Sequence, residues 1–516
     1  MLWTQSTGSY ARPVMSDLQP EDTFWRTMTR SLQQVFRVCM SDDQSNSSRS
    51  IRVRASWRRS LHLRYRIPYR EAQVMTILER FAEFGSDPGN GISHANVLHH
   101  AKRAIVDWHA AWISGSVAAP ATLLEEVVAE DLDRGWAKLA SGRRATARAA
   151  AMINGTAAHT VEVDDIFKQA IYHPGAPTIA AALAAAQAEH EGNPPGTELL
   201  RAVIIGYEIS TRIGVALGRE HYRYWHSTGT VGTFGAAAAV SALYRLDSRR
   251  FANALATAAT FAAGLQQAFR RDSMSKPLHA GRAAEGGLLA AQMARAGVTG
   301  AADVLDGEVG MGRAMSADPD WPQVLASLGH EYHVTQMTFK NHACCGHTFA
   351  PIDGALALQR QMGIAAADIQ RVVISTYRSA LEVAGNTQPE TAAQARFSIP
   401  FVVASALLYG SVRLAAFSTE RLQDPVIRAL MTRITLQVDP ELDARFPSQR
   451  SARIFIETRS GKRQEHLQPF RKGDPEQPLS DEELSIKFME LTEPVIGTPQ
   501  AESLIHGLWS LDVVTA

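Results

Sequence analysis

Residues 97–115 read VLHHAKRAIVDWHAAWISG. Leu98, Ala101, Ile105, Trp108 and Trp112 recur at three- and four-residue steps, the period of a helix with one buried face. Gly115 predicts the end of that helix. The same pattern begins at Ala72, holds for about 200 residues and predicts helices over 144–160, 176–190, 197–217, 229–244, 248–264 and 280–296. Alanine dominates these stretches, and small side chains let helices approach closely, so the expectation is an all-helical bundle.

Beyond Gln336 the pattern changes. RVVIST (371–376), RITLQVD (433–439) and ARIFIETRSG (452–461) are β-branched runs of strand length, the last entering a turn at Ser460-Gly461. PFVVASALLYG (400–410) between them reads as a helix stopped by Gly410. PLSDEELSIKFMELT (478–492) opens with Ser480 and carries Glu483 three positions on, a capping box that starts one more helix. The predicted class is therefore mainly α: a large all-helical domain over 74–336, a smaller α+β lid domain over 337–469, and C-terminal helices over 470–516 that return to the helical domain.

Residues 1–73 differ from all of this. Asn46 to Arg70 holds eight Arg and no acid, without helical or strand period. This Arg-rich extension is expected to lie outside the fold. Three readings compete: a translated upstream region ahead of a start near Met75, an organelle transit peptide, or a basic arm for an anionic partner. The first is preferred, and Asp17, Glu21, Asp22, Asp42 and Asp43 count against the second.

The 516-residue chain balances 52 Lys and Arg against 52 Asp and Glu, so no global field favours nucleic acid or an anionic membrane. No apolar run reaches the roughly 18 residues that span a bilayer. Only Cys39, Cys344 and Cys345 occur, and an adjacent pair is a poor candidate for a structural bridge, which suits a reducing, cytoplasmic setting.

Four segments can carry chemistry. In VEVDDIFKQAIYHPGAPTIAAAL (161–183), Glu162, Asp164 and Asp165 precede His173, which Pro174 places at a helix start where anions are favoured. EHYRYWHSTGTVGTFGAAAA (220–239) clusters His221, Arg223 and His226. Its TGTVGTFG lacks a GK[ST] ending and a preceding strand, so it is read as a loop meeting a carboxylate at a helix start rather than as a nucleotide cradle. In SMSKPLHAGRAAEGGLLAAQ (273–292), Lys276 stands near His279 and Arg282, which lie three apart and share a helix face. FKNHACCGHTFAPIDGAL (339–356) offers Lys340, His342, Cys344, Cys345 and His347, but HxCCxH has neither CxxC spacing nor a second distant pair, so no metal is expected. Each segment also has a plain reading, as a surface cap, a plug in the bundle or a solvated helix start.

Taken in order, NGTAAHTVEVDD, the HPG step, WHSTGTVGTFGAAAA, KPLHAGRAAEGG, CCGHT, ARFSIPF (395–401) and PLSDEELSIKF resemble the MmgE/PrpD family from about residue 76 to 495. The resemblance implies a homodimeric two-domain enzyme without cofactor or metal, whose site lies in the cleft between a helical domain and its lid. It implies functional roles for His173, His226 and Lys276, with Cys345 at the place where decarboxylase relatives carry another histidine and His347 two residues on. The chain departs from the decarboxylase pattern at Glu162, where they have Asp, and at Ile166, where they have Thr. It departs from the methylcitrate dehydratases after the HP step, which here continues Gly-Ala-Pro.

Family reactions make a carbanion-like centre next to a carboxylate, which needs a near-neutral base and positive charge where enolate charge develops. The expectation is His173 or His226 as general acid/base and Lys276 on a substrate carboxylate, with Glu162, Asp165, His279, Arg282, Cys345 and His347 as substrate-binding neighbours. The substrate is expected to be a small polycarboxylate and the reaction a 2-methylcitrate dehydratase-like elimination. Epimerisation or decarboxylation of a related acid, and a non-catalytic polycarboxylate-binding protein, are the alternatives.

Overall fold

The structure, a computed structural model, describes residues 75–513 apart from Ser93, 190–193 and 270–272. The Arg-rich extension over 1–73 lies outside the described residues. The fold is mainly α with a smaller α+β part. Its first part consists of α1 (Ile77–Ser86), α2 (Ala95–Ser116), α3 (Ala147–Thr160), α4 (Gly175–Ala188), α5 (Gly196–Tyr224), α6 (Ser227–Leu243), α7 (Ser248–Phe261) and α8 (Ser275–Arg295). Shorter helical turns are named by residue.

Helix α6 is buried on all sides from Ser227 to Ala242. A helix of Ala, Gly, Val and Thr with no charged face has nowhere to sit but the centre. Helices α4, α5, α7 and α8 pack around it. The close crossings depend on missing side chains: a Cβ at Gly281 of α8 would overlap the Met152 carbonyl of α3, and one at Gly287 would meet the Thr233 carbonyl of α6. TGTVGTFG is thus helix, as the pattern over 229–244 predicts, with its start at Ser227; its glycines Gly229, Gly232 and Gly235 serve close packing and form no loop.

Helix α5 runs past the predicted end at 217 but breaks at Gly218, whose φ of 66° lies in the left-handed region that glycine adopts without strain. A two-stranded hairpin of β1 (Leu132–Lys138) and β2 (Arg144–Ala145), absent from the sequence-based expectation, closes over α4.

The second part holds α9 (Phe349–Met362), α10 (Ile399–Tyr409) and one sheet in the order β4-β3-β5-β6, formed by β3 (Ile369–Thr376), β4 (Ile434–Val438), β5 (Ala452–Thr458) and β6 (Arg463–Gln468). The pair β3/β4 is parallel and the others are antiparallel, with Ile374 opposite both Leu436 and Ile454. Gly410 caps α10 in the left-handed conformation, as its position predicts. The capping box of Ser480 and Glu483 opens α11 (Asp481–Ile496), followed by α12 (Thr498–Trp509). Helix α11 packs back on α2, where Lys487 pairs with Asp107, both fully buried. Among the described residues no helix is long and apolar enough to cross a membrane.

Candidate active site

Three local features bring the chemistry together. Helix α3 ends at Thr160, and the chain leaves it through Glu162, which holds a left-handed backbone (φ 62°). Ile171, β-branched and at φ 48°, is a second such residue in the same segment. Strain of this kind costs about 1–3 kcal/mol per residue and persists only where packing over-determines it. Between them, Ile166 and Thr338 exchange both backbone hydrogen bonds at 2.9 Å, which pins the acidic loop to the segment that leads into Lys340.

The resulting cavity has a volume of about 630 Å³, within the ordinary range for small-molecule sites. The first part of the chain contributes Glu162, His173, His226 and Lys276 to its wall, and the second contributes Lys340, Cys345 and His347. The three residues assigned functional roles in the sequence, His173, His226 and Lys276, therefore face one space although they lie on the starts of three different helices.

The charges within are tightly paired. Lys276 contacts Glu162 Oε1. The Lys340 ammonium donates to the Glu162 carbonyl at 3.1 Å, to Glu162 Oε2 at 3.2 Å and to Asp164 Oδ1 at 3.4 Å. Asp164 Oδ2 in turn meets His159 Nδ1 at 2.6 Å and His173 Nδ1 at 3.2 Å. The His159 ring lies edge-on to His173 (4.7 Å between centroids) and stacks on His226 (5.5 Å), whose Nδ1 is 3.0 Å from His279 Nδ1. Four imidazoles thus form a continuous series with one carboxylate.

Burial and the neighbouring histidines hold His226 well below the usual imidazole pKa, and burial takes His159 down to about 3. Both rings are neutral at pH 7. Burial works against a charge on Asp164, yet the histidines and Lys340 hold its carboxyl well below the usual range. Burial, with Lys340 and Arg396 nearby, lowers the Lys276 ammonium well below the ordinary lysine value, while contact with Glu162 works in the opposite direction.

Three expected neighbours do not line the cavity. Asp165 is fully buried behind the wall, where its carboxylate accepts the Tyr207 hydroxyl at 2.8 Å and the Gly175 N–H at 3.0 Å. It anchors the start of α4 beneath His173 and does not line the cavity. Arg282 is half-exposed; it shares the helix face of His279, but its guanidinium turns to Glu285 one turn further along α8 instead of into the cavity. His279 touches His226 without lining the cavity itself.

Burial and Asp107 push the Asp165 carboxyl up to about 8. An acid whose folded pKa exceeds its unfolded value binds a proton on folding. Its contribution to stability is complete below about pH 4 and is lost as pH rises towards the folded pKa. Asp165→Asn cannot ionise, so its stability relative to wild type is expected to rise by up to about 1.4 kcal/mol per pH unit between about pH 5 and 8. Denaturant unfolding of both proteins across that range measures the difference; one that stays constant with pH contradicts the assignment.

His159, Asp164 and His173 are the one group among the described residues with the donors to hold a cation, their ligand atoms lying within 4.8 Å of one another. The Lys340 ammonium already occupies the other oxygen of that carboxylate, which disfavours a divalent ion beside it. The HxCCxH residues do not converge: His342 pairs with Asp353, Cys344 with Thr348, and His347 with the Tyr377 hydroxyl.

His159, Asp164 and Lys340 are additions to the site residues nominated from sequence. All three stand in segments singled out there, but only their packing shows that one carboxylate joins them.

Residues 79–324 match the MmgE/PrpD N-terminal domain and residues 342–511 the MmgE/PrpD C-terminal domain. The cis-aconitate decarboxylase-like protein oryM of Aspergillus oryzae is 29% identical over 444 residues, covering 81% of this chain and 91% of the relative. The cis-aconitate decarboxylase of Homo sapiens is 28% identical over 376 residues, 70% of this chain and 76% of the relative. That of Aspergillus terreus is 26% identical, covering 82% and 90%. With matches to both of its domains over most of the described residues, the chain belongs to the MmgE/PrpD family.

Proposed function

We propose that the protein is a lyase that acts on a small polycarboxylate by acid–base catalysis, using its side chains alone. One observation carries this reading: two lysines on Glu162 share a cavity with His173 and His226, the latter an imidazole that burial keeps neutral. A neutral imidazole can take a proton at pH 7, and the imidazolium so formed can return it. Fixed ammonium groups stabilise the charge that develops when a carbanion-like centre forms beside a carboxylate. In this reading His173 and His226 handle the proton, and Lys276 with Lys340 receives a substrate carboxylate.

Similarity to relatives named cis-aconitate decarboxylase supports decarboxylation of a tricarboxylate as the first reading. Elimination of water is the second reading. It is favoured by the cavity wall, where Glu162, Ile166 and Cys345 stand at the positions that depart from the decarboxylase pattern.

NMR in deuterated water with citrate, methylcitrate, cis-aconitate and amino- or imino-dicarboxylates separates these outcomes. Decarboxylation leaves a solvent deuteron on the product, elimination yields an alkene, and epimerisation exchanges a proton without net loss. Activity is expected to survive prolonged chelation; loss with recovery on adding zinc or iron sinks the side-chain mechanism. Saturable binding with neither turnover nor exchange on any acid leaves the non-catalytic binder.

A further inference from the structure

The far wall of the cavity is formed by residues that no motif singles out. The turn before β5 contributes Phe446 and Arg450, and the segment beyond the Gly218 break contributes Arg219 and Tyr222. Arg450 is 5% exposed. Its Nη2 donates to the Lys168 carbonyl at 3.1 Å, while its Nε has no hydrogen-bond partner.

The nearby carboxylate that might neutralise it is already committed. Asp474 receives Arg471 through Nε at 2.8 Å and Nη2 at 2.5 Å, and also accepts the Thr338 hydroxyl. Two buried guanidinium groups thus share one carboxylate, and Arg471 holds it. No ion pair to Arg450 exists among the described residues. Arg219 adds to the excess of positive charge: its guanidinium lies 4.9 Å from the centroid of the Phe446 ring, with Arg450 at 5.8 Å from the same ring. An aromatic face stabilises a cation without cancelling its charge. Phe446 is itself fixed by stacking on Tyr377 at 4.5 Å.

A buried guanidinium without a counter-ion is expensive unless an anion completes it, and its planar fork suits a carboxylate. Cys345 lies within electrostatic reach of Lys276, Lys340 and Arg450, so the lysines and the arginine address one small volume from different walls.

We propose that Arg450, assisted at the cavity mouth by Arg219, anchors a second carboxylate of the substrate, distinct from the one received by the lysine pair. The substrate class narrows to acids with carboxylates on separate carbons, and a monocarboxylate with the same reacting centre binds poorly. This inference rests on the polycarboxylate reading of the same cavity.

The test is a cycle that removes the anchor from the protein and the carboxylate from the ligand. Propane-1,2,3-tricarboxylate and its mono-amide are titrated calorimetrically into wild type, R450M and R450K. In wild type, loss of the carboxylate is expected to weaken binding roughly 10- to 100-fold. In R450M the two ligands are expected to bind within about 2-fold of each other, because the group that told them apart is gone. If R450M fails to fold, R450K carries the test: it keeps the charge, loses the fork and shows an intermediate ratio.

A ratio that stays at the wild-type value in the folded variant overturns the anchor while leaving the polycarboxylate reading intact. So does equal loss of affinity for both ligands, the mark of a structural role. Failure of wild type to bind the tricarboxylate, or any acid of the turnover panel, overturns the functional reading itself.

Discussion

Replacement of His173 by glutamine is expected to lower turnover by roughly 10² to 10⁴ with little change in substrate affinity. His173 Nδ1 is held against Asp164, a carboxylate kept ionised by its neighbours, and this leaves Nε2 as the nitrogen for proton transfer. Glutamine keeps a polar side chain of similar reach but has no titrating group, so the loss falls on the chemical step. His226→Gln is expected to act in the same range, since that ring lies on the same imidazole series and burial keeps it neutral. Steady-state kinetics on the best acid from the deuterium panel, with a thermal melt as control, reads the split. Turnover within about 3-fold of wild type in both variants would falsify the assignment of proton transfer to these rings.

The second large effect concerns stability. Lys487 Nζ lies 2.5 Å from Asp107 Oδ1 and 2.7 Å from the Val163 carbonyl, with both charged side chains about 1% exposed. Lys487→Met strands a carboxylate in the interior and is expected to cost about 3–5 kcal/mol. The paired change Lys487→Met with Asp107→Leu removes both charges and is expected to recover most of that loss, because two apolar groups satisfy each other where one charge cannot. Val163 stands between Glu162 and Asp164, so the single variant should also lose activity from a loosened acidic loop. Unfolding in denaturant measures the first effect. Additive losses in the double variant would show that the two residues act independently and that the pair is not what secures α11.

The sequence shows the helices well because their apolar faces must repeat at the helical period to be buried. The strands β3, β4 and β5 are legible for a similar reason, being rich in β-branched residues. Strand β6, RQEHLQ, is not: it is an edge strand, exposed at alternate positions, and carries almost no apolar signal. Within the site, His173, His226 and Lys276 are legible because each stands at a helix start beside proline or small residues. His159 is hidden in the last turn of an Ala-rich helix, and Lys340 in a segment whose cysteines draw attention to metals instead. Arg450 sits in FPSQRSAR, a stretch with the composition of a surface turn, and only the placement of Asp474 against Arg471 shows that its charge is left over. Arg282 shows the limit of spacing arguments in the other direction. Three residues along a helix bring two side chains near each other, but Glu285, one turn further on, decides which way the arginine turns.

The reciprocal backbone bonds between Ile166 and Thr338 act as a fixed joint in the cavity wall. Lys340, two residues from that clamp, is held by Glu162 and Asp164, so its charge is delivered in position and binding spends little ordering entropy there. Arg450 is referred to the same joint, since its Nη2 donates to the Lys168 carbonyl two residues beyond Ile166. The span between the lysine and the arginine is therefore set by one backbone joint, and selection among acids of different length falls on that span.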